Sequence, residues 1–497
     1  MTNNDNPDLD IKIQEHLMEE FLSGNLSKEL IQEKLSEWPR SFYYHFLLGL
    51  IQKKEKNFED SLSSFQKANS LKPKTPGILN NIGEMLYLTN KREEAIDCFE
   101  ELIQSYPNHV TGLTNLAMVY QNAGILDKSE ECYRKSLSLE PDRMLTNIGF
   151  SQLLQLFGKN DEALKILKKL LANNENDVTV KKTYAAALFT NGKKLQALNI
   201  YNGLSKKFPQ DKTVMHNQAI ILKLQKKYNE ALEIAFKAEK IDPIIGPVSE
   251  ITKTLILEIY LLQKDIKNFN QYYLSLDDKL KLNRTIAAMI TYFGSQLENV
   301  VTSSFCPDQT KHILHTNLSE YASSGDALIK NLKSDIQNKY FLWEPKTNST
   351  IGGSQTTKNL FLYKDDSFIE LLDILKSAVK KYKETFQKSD SFLIKNWPKS
   401  TSIHGWAVSL QNKGYQNAHI HPDGWVSGVF YLQIPETKKD ESCIYFTQKG
   451  YDYPILNKSK KIQEKTIKPS VGDLILFPSS QFHGTRSFNS NTERISI

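Results

Sequence analysis

Cysteine is scarce in this chain, and so are long apolar runs. The four cysteines are widely spaced and form no C-x-x-C pair, which disfavours a disulfide framework and a cysteine zinc site. The longest apolar stretch, around Thr254–Leu262, is too short to cross a bilayer. The polar, acidic start Met1–Asp10 lacks the apolar core of a secretory signal. We therefore expect a cytoplasmic protein with no membrane partner.

Neither sign of charge dominates the chain. Lys and Arg outnumber Asp and Glu by 63 to 57, and a surplus of +6 is small for 497 residues. Five lysines between Lys458 and Lys468 separate strand-like segments and are interpreted as a solvated loop. No nucleic-acid partner is expected, because nucleic-acid binding requires a clustered basic face. The length exceeds what one hydrophobic core supports, so more than one structural unit is expected.

Three kinds of residue recur every 34 residues in the first half of the chain. The prolines are Pro39, Pro73, Pro107, Pro141, Pro209 and Pro243; the small residues are Gly49, Gly83, Ala117, Ser151, Ala185 and Ala219; the bulky residues are Phe65, Phe99, Tyr133, Leu167 and Tyr201. This pattern predicts two helices, A and B, in each repeat. The small residue lets the helices approach, the bulky residue fills the space toward the next repeat, and the proline ends helix B.

The pattern resembles the tetratricopeptide repeat, whose consensus is matched closely over residues 113–141. Six repeats are expected over residues 42–245, after an N-terminal helical segment at 1–41. A helical cap and linker is expected at 246–300. The resemblance implies an all-α solenoid, a fold that usually serves as a protein-interaction surface.

Three repeats carry an asparagine at the same position of helix A, two residues before the small residue: Asn81, Asn115 and Asn217. A side-chain amide offers a donor and an acceptor to an extended peptide backbone. The arrangement resembles the asparagine ladder in the repeats of O-linked N-acetylglucosamine transferase. It predicts a peptide-binding groove and a polypeptide partner. The alternative is a set of solvated helix positions, since the other three repeats lack the asparagine.

After about Val300 the 34-residue period is absent. A helix is predicted over Asp366–Thr385. Short β-like runs separated by turn residues follow: Ile403–Gln411, Val426–Ile434, Cys443–Thr447, Asp473–Phe477 and Arg494–Ile497. This pattern predicts a jelly roll or small barrel over 301–497. The expected fold class is therefore multidomain α + β.

Candidate metal ligands lie after the first and after the fourth of these runs. His419, His421 and Asp423 are spaced by two residues, so an extended chain points them to one face. The turn residues after His421 place Asp423 just beyond the strand end. His483 follows in a later strand-like segment. Two histidines and one carboxylate form the facial triad of non-haem iron(II) oxygenases, so we expect His421, Asp423 and His483 to bind iron(II).

A candidate carboxylate site lies on the last β-like run. Arg494 and Ser496 share one face of a strand, so a guanidinium and a hydroxyl can bind one carboxylate together. An oxygenase that chelates 2-oxoglutarate through its keto-acid end needs such a pair for the distal carboxylate. Trp425, Phe430 and Tyr431 are candidate pocket walls, with ordinary core as the alternative.

Residues 343–356, 419–432 and 472–484 resemble a bacterial family of 2-oxoglutarate/iron(II) oxygenases that is often fused to tetratricopeptide repeats. The resemblance implies a double-stranded β-helix, or jelly roll, with iron(II), 2-oxoglutarate and dioxygen. Relatives often lack an acid at the position of Asp423 and keep both histidines, so His419 is an alternative ligand. Relatives also extend past the segment that ends at Ile497, so the last strand is expected to be clipped.

The expected function is a hydroxylase-type dioxygenase acting on a polypeptide that the repeats hold. Two alternatives remain open. In one, the chain is a repeat scaffold whose barrel is inactive or merely binds metal. In the other, the oxygenase acts on a small molecule or glycan and the solenoid serves assembly.

Overall fold

The computed structural model describes residues 11–241, 247–322, 325–345, 349–451 and 453–497. Pro243, the last member of the proline series, lies outside these ranges. The chain divides into two compact units, Met1–Leu153 and Leu154–Ile497, with the division inside one helix. In the described ranges, no helix is both long and apolar enough to span a membrane.

The first unit is built from helices. They are α1 (Ile11–Ser23), α2 (Lys28–Glu37), α3 (Phe42–Lys54), α4 (Phe58–Leu71), α5 (Pro76–Leu88), α6 (Arg92–Ser105), α7 (Val110–Asn122), α8 (Leu126–Leu139) and α9 (Met144–Leu156), which continues into the second unit. The first helices of successive repeats begin at Phe42, Pro76, Val110 and Met144, in agreement with the sequence period. Helix B ends two residues before the proline in the first three of these repeats, as predicted.

Glycine on helix A makes room for an aromatic ring on helix B of the same repeat. A Cβ atom added to Gly49 would lie 2.7 Å from the ring of Phe65, and one added to Gly83 would lie 2.6 Å from the ring of Phe99. Both rings are fully buried. The bulky residues therefore fill space within their own repeat, and not only the space toward the next repeat.

Helices continue through the first part of the second unit and flank the strands that follow. They are α10 (Asn160–Asn173), α11 (Val178–Thr190), α12 (Lys194–Lys207), α13 (Lys212–Leu224), α14 (Tyr228–Lys240), α15 (Pro247–Leu262), α16 (Ile266–Ser275), α17 (Asp278–Lys281), α18 (Arg284–Gln296), α19 (Gly325–Gln337), α20 (Asp366–Thr385) and α21 (Phe392–Lys395). Helix α20 has the predicted bounds. We call α15–α18 the helical cap.

The described residues after α18 also form ten strands, which pair in an antiparallel sheet that curls into a half-barrel. They are β1 (Leu314–Asn317), β2 (Phe341–Trp343), β3 (Thr350–Thr356), β4 (Val408–His419), β5 (Val426–Gln433), β6 (Ile444–Thr447), β7 (Glu464–Ile467), β8 (Asp473–Pro478), β9 (Phe482–Thr485) and β10 (Arg494–Ser496). The strand order is β1-β8-β5-β10-β4-β9-β6-β7, and β3 joins β2 to β4. Strand β4 therefore pairs with β3, β9 and β10, which brings residues from distant parts of the sequence together.

Candidate metal centre and carboxylate site

Three histidines converge where β4 meets β9. These strands pair antiparallel with His419 opposite His483, and His421 follows two residues after β4. The His419 and His483 ring centroids are 4.4 Å apart, and the Nε2 atoms of His421 and His483 are 3.3 Å apart. Two nitrogens bound at right angles to one ion, each at about 2.1 Å, lie about 3 Å apart. In the described part of the chain, these histidines form the group of donors whose spacing suits a metal ion.

Backbone carbonyls fix the tautomer of two of the rings. His419 Nδ1 donates to the Asn417 carbonyl at 2.8 Å, and His483 Nδ1 donates to the Gln481 carbonyl at 3.1 Å. A carbonyl oxygen only accepts, so Nδ1 carries the proton and Nε2 of each neutral ring keeps its lone pair. Metal-binding histidines are usually oriented in this way.

Burial keeps the three imidazoles neutral. Burial, with a smaller contribution from the neighbouring His419, lowers the pKa of His421 to about 3. Burial also lowers the pKa of His419 and holds the pKa of His483 well below its usual range. A protonated imidazole cannot bind a metal, so this environment favours the ligating form at neutral pH.

Asp423 lies outside the group of three histidines. It occupies the turn after His421 that the sequence predicts, where the Gly424 N–H donates to the His421 carbonyl at 3.1 Å. Its side chain is exposed, and its charge acts on Arg284 of helix α18. The structure thus brings His419, His421 and His483 together and leaves Asp423 at the surface.

Arg494 is a buried cation that forms no ion pair with any described residue. Its side chain is 1% exposed, and its Nε atom has no hydrogen-bond partner. Its Nη1 atom donates to Ser496 Oγ at 3.4 Å, so the two residues share a face of β10 as predicted. Burial lowers the pKa of Arg494. A buried guanidinium without an anionic partner is unfavourable, so the site is suited to a carboxylate ligand.

Tyr431 supplies a second buried polar group beside Arg494. Its hydroxyl makes no hydrogen bond of normal geometry with any described residue, but it is close enough to Arg494 to interact with its charge. The Arg494 guanidinium lies 4.9 Å from the Tyr431 ring centroid. Burial raises the pKa of Tyr431 to about 12, so the phenol stays protonated and can donate. Sequence reasoning had identified Tyr431 only as a pocket wall. Trp425 and Phe430 instead pack in a different cluster, with helix α20.

The histidines and Arg494 border one apolar interior. Tyr431 packs in a cluster with Phe446 and Phe477, and the Phe477 ring centroid is 4.4 Å from that of His483. On the other side, the Trp406 ring is 5.4 Å from His421. Sequence reasoning did not single out Trp406 or Phe477, because an aromatic residue in a strand-like run is usually core.

Arg486, a second cation near His483 in sequence, lies in a different environment. It forms an ion pair with Glu464, and its guanidinium lies 5.0 Å from the Tyr445 ring centroid. It is partly exposed and already has an anionic partner. The charge of Arg486 is therefore already neutralised by an anionic partner, whereas that of Arg494 is not paired with any described residue.

Sequence models of known families match both halves of the chain. Residues 404–497 match the sequence model of a family described as "Putative 2OG-Fe(II) oxygenase". Residues 42–75, 81–109 and 104–238 match models described as "Tetratricopeptide repeat". The chain joins tetratricopeptide repeats to a domain of this oxygenase family. A search of curated proteins found no match.

Solved structures similar to this chain include several repeat proteins. A tetratricopeptide repeat protein from Parabacteroides merdae is 20% identical, with 49% of this chain and 96% of that chain covered and a TM-score of 0.43. The Cut9–Hcn1 tetramer of APC/C is 13% identical, with 50% and 49% covered and a TM-score of 0.43. YrrB, "a TPR protein with an unusual peptide-binding site", is 19% identical, with 37% and 94% covered and a TM-score of 0.29.

The three asparagines of the predicted peptide groove each make a contact within the protein. Asn81 Nδ2 donates to the Gly77 carbonyl at 2.8 Å, Asn115 Nδ2 donates to Asn80 Oδ1 at 3.0 Å, and Asn217 Nδ2 donates to the Tyr201 hydroxyl at 3.2 Å. All three side chains are partly buried. A primary amide has two N–H groups, so each retains one further donor for a peptide. Asn81 and Asn115 lie in the first unit and Asn217 lies in the second.

Proposed function

We propose that the C-terminal region is an iron(II)- and 2-oxoglutarate-dependent dioxygenase of the hydroxylase type. One observation supports this above the others: a three-histidine donor group and a buried, unpaired Arg494 border the same apolar interior. The first fits a divalent metal ion and the second fits a carboxylate. A dicarboxylate that chelates the ion at one end meets both requirements.

We propose His419, His421 and His483 as the iron ligands. Their nitrogens are spaced for one ion, and two of the rings are already oriented by backbone carbonyls. The expectation that Asp423 completes the site instead of His419 would require the turn after His421 to fold inward. The alternative ligand His419 is therefore the better supported choice.

The absence of a carboxylate from this ligand set has an electrostatic consequence. Three neutral imidazoles leave the full charge of a divalent ion for the remaining positions, and a bound cation is often the largest local charge in a site. Anionic ligands are favoured there. The keto-acid end of 2-oxoglutarate supplies a carboxylate and a carbonyl oxygen.

Bound iron(II) with 2-oxoglutarate would supply the chemistry of dioxygen activation, in which 2-oxoglutarate is converted to succinate and carbon dioxide and a substrate is oxidised. This chain's own residues would orient the cosubstrate and exclude water. Arg494 and Ser496 would bind the distal carboxylate, and the Tyr431 hydroxyl would donate a further hydrogen bond. Phe446 and Phe477 would keep the interior between the two ends of the cosubstrate dry.

Formation of succinate from 2-oxoglutarate tests this proposal. The full chain supplied with iron(II) and dioxygen should form succinate, and His483→Ala should not. Arg494→Met should need about ten- to a hundred-fold more 2-oxoglutarate, because a hydrogen-bonded charge pair is worth about 1.5–3 kcal/mol. Arg486→Met, which removes the ion-paired surface arginine, is the matched control. Equal succinate formation by the wild type and His483→Ala would contradict the proposal.

We further propose that the substrate is a polypeptide captured by the repeats. Tetratricopeptide repeats generally mediate protein–protein interaction, and three repeats carry an amide at the same place on helix A. An oxygenase of a small molecule or glycan is the competing proposal. A cytoplasmic location, proposed from the sparse cysteines, fits the four cysteines being free thiols.

A further inference from the structure

The strands that carry the histidines also have a back face. Ile420 lies between His419 and His421, and Phe482 precedes His483. Successive residues of an extended chain point to opposite sides, so these two point away from the metal side. Both are buried in one apolar cluster with residues of the helical cap, among them Leu257, Phe269 and Ile286. The cap thus packs directly behind the histidines.

A loop between β6 and β7 extends this contact. The Tyr453 ring stacks on Tyr292 of α18 at 5.6 Å with an interplanar angle of 10°, and the Tyr292 hydroxyl donates to the Pro454 carbonyl at 2.9 Å. The Tyr451 ring lies 5.1 Å from Phe482. Helix α18 is therefore connected through aromatic rings to the strand that carries His483.

Arg284, the first residue of α18, contacts the turn after His421. Its Nε atom donates to the Pro422 carbonyl at 2.9 Å. Its guanidinium lies 5.9 Å from the Trp425 ring centroid, and the charge of Asp423 acts on it. Trp425 is itself fixed by a hydrogen bond from Nε1 to the Leu393 carbonyl at 2.9 Å. Arg284 thus contacts both ends of the turn formed by residues 422–425.

This restraint matters most for His421. His419 and His483 lie within paired strands, whereas His421 lies beyond the end of β4. Two backbone hydrogen bonds hold its main chain: His421 N donates to the Ser479 carbonyl at 3.1 Å, and the His421 carbonyl accepts from Gly424 N, within the turn itself, at 3.1 Å. The position of the imidazole therefore depends on how firmly the following turn is held.

We propose that the helical cap forms part of the metal centre and that Arg284 is a positioning residue for His421. This inference rests on the proposed three-histidine ligand set. Residues that orient metal ligands without touching the ion typically contribute about ten- to a hundred-fold in metal affinity. In addition to closing the solenoid, the cap would then determine how well the domain binds its ion.

Metal titration of the full chain with cobalt(II), followed by its visible absorption spectrum, tests the role of Arg284. Arg284→Met keeps most of the apolar stem and removes the donor and the charge. We expect its cobalt affinity to fall about ten- to a hundred-fold with an altered spectrum. Arg284→Lys retains a cation and should recover part of the loss. Lys279→Met, which removes an exposed lysine of α17 that pairs with Glu250 of α15, is the matched control.

Hydrogen–deuterium exchange of the metal-free chain separates this inference from the proposed function. Arg284→Met should raise exchange in residues 420–426 and leave helix α20 unchanged. Arg284→Lys should give a smaller rise, and it provides the comparison if Arg284→Met does not fold. Unchanged exchange in the turn, or cobalt affinity and spectrum equal to the wild type, would overturn the positioning role. A wild-type chain that binds no metal would instead contradict the proposed function.

Discussion

At the scale of single residues, the proposed centre contains two positive charges that a bound anion can neutralise: that of the metal ion and that of the Arg494 guanidinium. Neutral imidazoles leave an ion's charge uncompensated, and Arg494 is buried without an anionic partner among the residues that the structure describes. Each alone would be unfavourable, because buried charges are normally paired. One dianionic cosubstrate would satisfy both. This complementarity is the physical reason for assigning the metal and the carboxylate to the same ligand.

Two single substitutions distinguish the possible ligand sets. His419→Ala should weaken iron(II) binding by more than about a hundred-fold, because it removes a nitrogen from the group that surrounds the ion. Asp423→Ala should leave binding nearly unchanged, because this carboxylate lies on the surface. Anaerobic iron(II) titration measures both. His404→Ala, which removes an exposed histidine outside the group, is the control. A larger loss in Asp423→Ala than in His419→Ala would restore the two-histidine, one-carboxylate set.

Tyr431→Phe should weaken cosubstrate binding without lowering the stability of the ligand-free chain. The variant should bind 2-oxoglutarate about ten- to a hundred-fold more weakly, because a hydrogen bond to a charged group is worth about 1.5–3 kcal/mol. The ligand-free chain should be equally stable or more stable, because the buried hydroxyl makes no hydrogen bond of normal geometry with any described residue there. Calorimetric titration and thermal unfolding measure the two effects. Wild-type affinity in this variant would remove Tyr431 from the carboxylate site.

At the scale of secondary-structure elements, periodicity predicts structure where contacts are local. The repeat helices and α20 follow from apolar spacing and proline positions, and their observed bounds agree with the sequence. Strand β4 was expected to end near Gln411, yet it continues to His419. Lys413 adopts φ 65° at the point where the register between β4 and β3 shifts. The residues around Lys413 look like a turn in the sequence, but in the structure they form an irregularity within one continuous strand.

Cross-strand register explains why the histidine group was only partly predictable. His421 and His483 are 62 residues apart in the chain, and their approach depends on the pairing of β4 with β9. Spacing along the sequence indicates which side chains share a face of one strand. It does not reveal which residue of a distant strand lies opposite. The ranking of Asp423 above His419 rested on the two-histidine, one-carboxylate donor set of non-haem iron(II) oxygenases, because the two residues are equally spaced from His421.

Two glycines of the same helix test the packing of the repeats. Gly83→Val should lower the free energy of unfolding by about 1–3 kcal/mol, because the new side chain would collide with the Phe99 ring. Gly77→Val is the matched control, since an added Cβ there meets no atom within 4 Å. Valine favours a helix more than glycine does, so the control should be neutral or slightly stabilising. Thermal unfolding of the full chain compares them, and equal stability would contradict the packing.

At the scale of the whole molecule, the division into repeats and an oxygenase domain was evident in the sequence, and family comparisons support it. The contacts of the helical cap with the metal-binding strands were not evident. Apolar spacing in α15 and α18 predicts helices with a buried face. It does not indicate that Ile420 and Phe482 pack in the same apolar cluster as that face. A segment expected to act as cap and linker therefore contributes to the candidate site.

Peptide capture by the repeats can be separated from turnover of the cosubstrate. Replacing Asn81, Asn115 and Asn217 together with alanine should lower substrate affinity by a few kcal/mol, since each amide contact contributes about 0.5–1.5 kcal/mol. Substrate-independent succinate formation should survive, because it requires no bound peptide. Asn338→Ala, outside the repeats, is the control. A triple variant that modifies a peptide substrate at the wild-type rate under limiting concentration would favour a small-molecule or glycan substrate.

The most direct test of the central claim is an anaerobic titration of the wild-type chain with iron(II) and then 2-oxoglutarate. The visible charge-transfer absorption of the complex would report chelation. We expect one iron ion and one 2-oxoglutarate per chain, no cosubstrate binding without metal, and weakened binding in Arg494→Met. An iron-loaded chain that fails to bind 2-oxoglutarate saturably, or an Arg494→Met variant that binds it as tightly as the wild type, would contradict the account.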